Sequence, residues 1–243
     1  SPPAGNLSEP ALRVDRLQLV ARGGIVGMAT ERTAVDQPFG PWNVATEMPA
    51  EWGDPAFFTY QQQEYLISAA GPKPRALQIC PALTNCQAVT IIDGEENVLT
   101  DDIDGPAVAT VDGYPLMIFN MVVVGRPETN DLYQAQATLT DFSSWVAVPL
   151  QLQRGPGQQE DDPAISPDGT IILYGDNEGD LWVSRRPQFG APFAPPGRLD
   201  FTPEDDKLSE PFLADAGEGR LELFFSATEG ESPSRIKRAF CTP

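Results

Sequence analysis

Apolar and polar positions change along this chain in short runs, and no stretch shows the spacing of an amphipathic helix. The clearest runs are Arg16–Ala21, Glu64–Ala69, Tyr114–Asn120, Thr170–Gly175 and Arg220–Ser226. Each is mostly apolar, rich in β-formers and bounded by turn residues, which predicts strands covered on both faces. A second set, Val26–Thr30, Ala76–Cys80, Leu132–Ala137, Leu181–Arg185 and Arg235–Phe240, alternates more plainly and predicts strands nearer solvent. An aromatic corner then precedes an outer strand at Phe39–Trp42, Phe142–Trp145 and Phe189–Phe193; recurring at the same place, these aromatics are expected to pack between repeats. In the second unit Cys86–Ile91 takes that outer position.

Ahead of every apolar run stands one device, a carboxylate within two residues before proline: Glu9-Pro10, Asp54-Pro55, Asp104-Gly105-Pro106, Asp162-Pro163 and Glu210-Pro211. The prolines lie 45, 51, 57 and 48 residues apart, a period that suits one four-stranded propeller blade. The expectation is an all-β, five-bladed β-propeller of four-stranded antiparallel blades, a single domain over residues 1–243. Its approximate blades are 8–50, 51–100, 101–158, 159–206, and 207–243 plus 1–7. The fifth unit runs out of chain at Pro243, so Ser1–Leu7 is expected along the outside of the last blade, as an edge at most because of its two prolines. The competing all-β arrangement is a sandwich of about a dozen strands, which five matched units disfavour.

Composition narrows the chemistry. With 35 acidic against 16 basic side chains the net charge is −19, so a nucleic acid would be repelled. No apolar run approaches the roughly 20 residues of a membrane helix. The acidic excess either keeps an exported β protein soluble and monomeric or holds a cation such as calcium. Histidine is absent, which removes the Ser-His-Asp triad, a Cys-His pair and imidazole-based zinc sites; no cofactor is required by what remains. Cys80 and Cys86 bracket a short loop and fit a disulfide in an oxidising compartment, with Cys241 either free or competing for one of them. The opening SPPAGN reads as a flexible mature terminus, which points to an extracellular or periplasmic protein; a lipidated cysteine just before Ser1 would make it a bacterial surface lipoprotein.

Inner strands of a propeller line a central channel, so Glu9, Asp54, Asp104, Asp162 and Glu210 are expected to converge as a ring at one mouth. Neighbouring carboxylates raise one another's pKa unless a cation or arginine sits among them. Such a ring suits a carbohydrate or another small polar ligand, with Trp52 as a platform for a sugar ring; it equally suits turn capping with no ligand. The acidic turns Asp101–Gly105 and Asp176–Asp180 lack the spacing of an EF-hand, and no metal ligand set is assigned.

Two resemblances carry further expectations. The stretch Asp161–Arg186, DDPAISPDGTIILYGDNEGDLWVSRR, resembles a TolB-type propeller repeat. Trp52-Gly53-Asp54-Pro55-Ala56-Phe57-Phe58, followed by Glu64-Tyr65-Leu66, resembles the Asp-Pro openings of family 43 glycoside hydrolases and their five-bladed relatives. Asp104-Gly105-Pro106-Ala107-Val108, with Asp112-Gly113-Tyr114, resembles their later Glu-Gly-Pro segment. This second resemblance implies a base and a general acid on opposite sides of a bound sugar. Asp54 would be the base or an acid-tuning carboxylate, Asp104 would stand where the longer Glu acid is expected, and Glu9 or Glu210 would complete the set. The leading expectation is an exported ligand-binding propeller; the alternatives are a carboxylate-based glycoside hydrolase and a protein-interaction scaffold.

Overall fold

A computed structural model describes residues 7–13, 15–23, 26–45, 52–71, 73–81, 85–122, 130–138, 140–152, 159–199, 206–230 and 233–241; of Ser8, Gly23, Val26, Trp52 and Asp206 it describes the backbone alone. Five small antiparallel sheets form a ring. Blade 1 comprises β1 (Leu7–Leu12), β2 (Gln18–Gly23), β3 (Val26–Glu31) and β4 (Asn43–Val44). Blade 2 comprises β5 (Trp52–Tyr60), β6 (Gln63–Ala70), β7 (Ala76–Pro81) and β8 (Gln87–Ala88), and is followed by the short β9 (Thr90–Ile92). Blade 3 holds β10 (Asp102–Val111), β11 (Tyr114–Val122), β12 (Asn130–Ala137) and β13 (Ser144–Pro149). Blade 4 holds β14 (Asp161–Ile165), β15 (Ile171–Gly175), β16 (Leu181–Arg185) and β17 (Gly197–Arg198), and blade 5 holds β18 (Asp206–Gly217), β19 (Arg220–Glu229) and β20 (Arg235–Cys241). The inner strands meet in the order β1, β5, β10, β14, β18, and β18 returns to β1.

Two features depart from five equal blades. β9 does not continue the outer strand of blade 2; Thr90–Ile92 pairs in parallel with Ser144–Val146 of β13, giving blade 3 a fifth strand. Of the expected Cys86–Ile91 strand, Gln87–Ala88 pairs with β7 and the Val89 amide donates to the Leu77 carbonyl at 2.9 Å. Blade 5 has three strands among the described residues. Ser1–Asn6 of the expected closing segment lie outside the described residues, while the Leu7 amide donates to the Ser234 carbonyl of blade 5 at 3.1 Å.

Apolar side chains fill the spaces between blades. Phe58, Ile67, Met117, Phe119 and Trp145 join blades 2 and 3, Leu173, Leu181, Leu223 and Phe225 join blades 4 and 5, and Leu12, Leu19, Ala214 and Phe224 close the ring between blades 1 and 5. This is why the second strands are apolar on both faces: β15 is buried at all five positions. The aromatic corners serve the same packing. Arg32 lies over Phe39 with its guanidinium 4.6 Å from the ring centre, and Arg186 lies over Phe189 and Phe193 at 4.9 and 4.4 Å. Arg32 also makes a bidentate pair with fully buried Glu222 across the closing seam, at 2.8 and 3.0 Å. Cys80 and Cys86 form a disulfide across the β7 to β8 connection, with Cα atoms 4.0 Å apart, and Cys241 is free and half-buried.

Candidate functional site

Each inner strand begins with the same distortion. The residue before proline adopts left-handed backbone, with φ 52° at Glu9, 45° at Asp54, 54° at Gly105, 45° at Asp162 and 52° at Glu210. At each place the pairing with the second strand slips, between Ser8 and Ala11, Gly53 and Ala56, Asp104 and Ala107, Asp161 and Ala164, and Ser209 and Phe212. Proline offers no amide to the ladder, and the extra residue forms a β-bulge that re-aims its side chain toward the axis. Left-handed backbone costs a residue other than glycine about 1 kcal/mol. Four of the five positions nevertheless carry a carboxylate, and hydrogen bonds offset that cost. Glu210 Oε2 accepts the Glu9 amide at 2.8 Å and the Ser226 hydroxyl at 2.5 Å, while Glu9 Oε2 accepts the Asp54 amide at 3.0 Å. Blades 5 and 1 thus each hold the next blade by its bulge. Glu9 Oε1 also pairs with Arg22 at 3.1 Å.

Blade 3 breaks the pattern. Its pre-proline residue is Gly105, so four carboxylates converge where the sequence suggested five, and Asp104 stands one position earlier, in line with Ser8, Gly53, Asp161 and Ser209. The reason is steric: a Cβ on Gly105 would lie 2.3 Å from Asn120 Oδ1 and 3.1 Å from Pro163 Cδ. The Asn120 amide fills the space. Asn120 Nδ2 donates to Asn130 Oδ1 at 3.2 Å, and Asn130 Nδ2 donates to Asp161 Oδ1 at 2.9 Å. The relay runs from Asn120 through Asn130 to Asp161 and leaves Asn120 Oδ1 facing Gly105, buried and without a hydrogen-bond partner among the described residues.

Arg75, from the β6–β7 hairpin, is the residue that the motif reading missed. Its guanidinium makes a close ion pair with Asp104, lies 3.5 Å from Asp102 Oδ1 and reaches Asp54 Oδ2 at 3.9 Å, and its amide donates to Asp102 Oδ1 at 2.6 Å. The one signal was electrostatic: Asp102 and Asp104, two residues apart at a strand start that folds inward, need a counter-ion. Lys73 adds a second cation to Asp102 at 3.3 Å.

The four carboxylates, Gly105 and the five prolines surround an axial cavity of about 30 Å³. That is room for a water molecule or a single ion, so a saccharide would have to lie over the ring rather than within it. Burial pushes Asp54 well above the usual carboxylate range, helped by Glu9, Asp162 and Glu210 and opposed by Arg75. Burial does the same to Asp162, with Asp161, Glu210 and Glu9 adding to it. Glu210 is raised by burial in spite of its bonds from Ser226 and the Glu9 amide, and Asp161 is raised by burial in spite of the Asp162 amide and Asn130. Burial also acts on Asp102, but there the amide and charge of Arg75, with Lys73, prevail and hold it below its ordinary value. A protonated carboxyl at Asp54 or Asp162 can both donate to and accept from a ligand hydroxyl. Trp52 begins β5; its side chain, the expected sugar platform, lies outside the described residues.

The second acidic turn is self-sufficient. Asp176, Glu178 and Asp180 bring one oxygen each within 4.8 Å of one another. Asp176 accepts the amides of Glu178 and Asp180 at 2.9 Å each and the Trp182 indole at 2.8 Å, and Asp180 pairs with Arg198 at 2.9 Å, which accounts for the turn between β15 and β16.

A scan against protein-family models finds no match, and a search of curated proteins finds none either. Solved structures do match. A thermostable family-43 glycoside hydrolase superposes with a TM-score of 0.66 at 12% identity, over 98% of this chain and 92% of that one. An α-L-arabinofuranosidase from Lactobacillus brevis gives 0.66 at 7% identity over 98% and 92%, and a Cellvibrio cellulosa α-L-arabinanase complexed with arabinohexaose gives 0.65 at 13% over 97% and 91%. At such identities the likeness establishes the fold, a five-bladed propeller similar to those of family 43 enzymes. It lends nothing to the TolB-type resemblance of Asp161–Arg186.

Proposed function

We propose that this chain is an exported, monomeric carbohydrate-binding propeller that holds a saccharide over its carboxylate ring without cleaving it. The observation that carries this reading is how the carboxylates are engaged. Glu9 and Glu210 are bonded to the bulge amides of the next blades, and Arg75 is clamped on Asp104, the residue that a hydrolase of this shape would use as acid. Arg75 also stands between Asp104 and Asp54, where the scissile bond would have to lie. Asp54 and Asp162 keep oxygens for ligand hydroxyls. The carbohydrate class is supported by the neighbouring structures, one of them an arabinanase complexed with arabinohexaose, and export is supported by the Cys80–Cys86 disulfide. The reading needs no cofactor; adding calcium to chelator-treated protein tests whether an ion shares the narrow cavity.

One observation favours hydrolysis: Asp54 and Asp162 have raised carboxyls, the property that a general acid needs. Incubation with arabinohexaose, followed by chromatography of products and by calorimetry, separates the two. Binding without shorter products, weakened about tenfold in Asp54→Asn, is the expected result. Shorter products that vanish in Asp54→Asn and Asp104→Asn would establish the hydrolase, and neither binding nor cleavage with arabinan, xylan or bacterial glycans would leave a protein-interaction scaffold.

A further inference from the structure

The inner strands that begin at the carboxylates end at a second mouth, about four residues and so roughly 13 Å further along the axis. There β1, β5, β10, β14 and β18 all contribute to a cavity of about 420 Å³. Its walls include Phe57, Val108, Ile165 and Phe212, and its rim carries Arg13 and Arg16. The size falls within the range of small-molecule sites, and the combination of an apolar interior with a few polar groups at one side is what such sites share.

The rim charge selects the ligand. Arg13 is engaged by Glu64 and by Gln18 Oε1 at 3.3 Å, so its guanidinium is held in place. Arg16 differs. Its Nη1 donates to the Asp215 carbonyl and lies 3.9 Å from the Asp215 carboxylate, and the side chain is 34% exposed. The Asp215 carboxylate is itself turned to the Gly217 amide at 2.8 Å. Among the described residues Nε and Nη2 of Arg16 are unengaged and remain for a planar acceptor, the pairing that a guanidinium makes best with a carboxylate. Its backbone is fixed from both sides, the amide donating to the Arg13 carbonyl at 2.8 Å and the carbonyl accepting Arg32 Nε at 2.7 Å. The cation is thus presented at a set place over an apolar cavity, in a protein whose net charge is −19.

We propose that this second mouth is a binding site for a small carboxylate with an apolar body, an aryl or branched alkyl acid, whose hydrocarbon part enters between Phe57, Val108 and Phe212 and whose carboxylate pairs with Arg16. The site is independent of any saccharide at the other mouth. Calorimetry with 4-phenylbutyrate and with 4-phenylbutan-1-ol tests it. The acid binds with a sub-millimolar Kd and the alcohol about tenfold more weakly; Arg16→Met removes that difference, and Val108→Trp, which fills the cavity, abolishes both. Should Val108→Trp fail to fold, Thr110→Trp at the exposed rim blocks the same opening. No binding of the acid up to about 10 mM, equal binding of acid and alcohol, or acid binding that survives both Arg16→Met and the tryptophan variant would overturn the proposal.

Discussion

The axis gathers Glu9, Asp54, Asp162 and Glu210 around about 30 Å³ at one end and opens to about 420 Å³ between Phe57, Val108, Ile165 and Phe212 at the other. Both ends are built from the same five strands. At the narrow end every strand carries the same bulge before proline, so four blades send a carboxylate inward, blade 3 brings Gly105, and the space closes. At the wide end the strands leave through hairpins without that bulge, three of them two-residue left-handed turns (Gln61–Gln62, Asp112–Gly113, Glu218–Gly219) and one the longer connection between Leu12 and Gln18. A device repeated by every blade fills an axis; individual hairpins leave it open. The charge follows the same division, buried acids held by Arg75 at one end and an arginine with spare donors at the other.

Removing Arg75 should break the narrow end most. Arg75→Met leaves Asp104, Asp102 and Asp54 without their shared cation, and a loss of about 3 kcal/mol, or a Tm lower by about 6–12 °C, is expected in thermal unfolding. At the wide end Arg13→Met should lose less, about 1 kcal/mol, because Arg13 pairs with Glu64 where Arg75 is shared by three carboxylates.

Gly105→Ala comes next, at about 2 kcal/mol in urea unfolding, since its Cβ meets Asn120 Oδ1. Paired with Asn120→Ala it should cost clearly less than the two changes added together, a coupling that a double-mutant cycle reads directly.

Asp162→Asn sharpens the electrostatic half of the comparison. Its carboxyl is raised on folding, so the folded state binds the proton more tightly than the unfolded chain does. The resulting stability is greatest below the unfolded pKa of about 3.9 and falls as pH rises through the folded value. Asp162→Asn should therefore raise Tm by about 2–4 °C at pH 8 and change it little at pH 4. Asp102 works in the opposite sense: its lowered carboxyl stabilises the fold above its unfolded pKa and loses that contribution as pH falls. The smallest effect belongs to Asp215→Asn at the wide rim, within about 0.5 kcal/mol in thermal unfolding.

The repeat was legible because its punctuation is local. Carboxylate-Pro before an apolar run marks each inner strand, and the second and third strands fall within three residues of where their patterns place them, Leu181–Arg185 matching at both ends and Arg220–Glu229 running three residues past Ser226. The short Cys80–Cys86 loop was legible for the same reason. What escaped depends on contacts distant in sequence. Counting back from Pro106 puts Gly105, not Asp104, at the bulge, but only the Asn120 side chain of the neighbouring strand shows why glycine is required there. Arg75 meets Asp104 across a blade boundary, and β9 leaves blade 2 for the edge of β13, choices that no periodicity records. The wide mouth was not read because its hairpins, three of them two-residue turns at Gln61–Gln62, Asp112–Gly113 and Glu218–Gly219, look in sequence like ordinary turns.

The most direct test is a crystal structure with an arabino-oligosaccharide bound at the narrow mouth. The expected result is an unbroken chain lying over the ring, its hydroxyls on Asp54 and Asp162, with the Arg75–Asp104 pair intact. A glycosidic oxygen seated between two carboxyls separated by roughly 6.5–9.5 Å, with Arg75 swung away, would contradict it and make the ring an inverting hydrolase site.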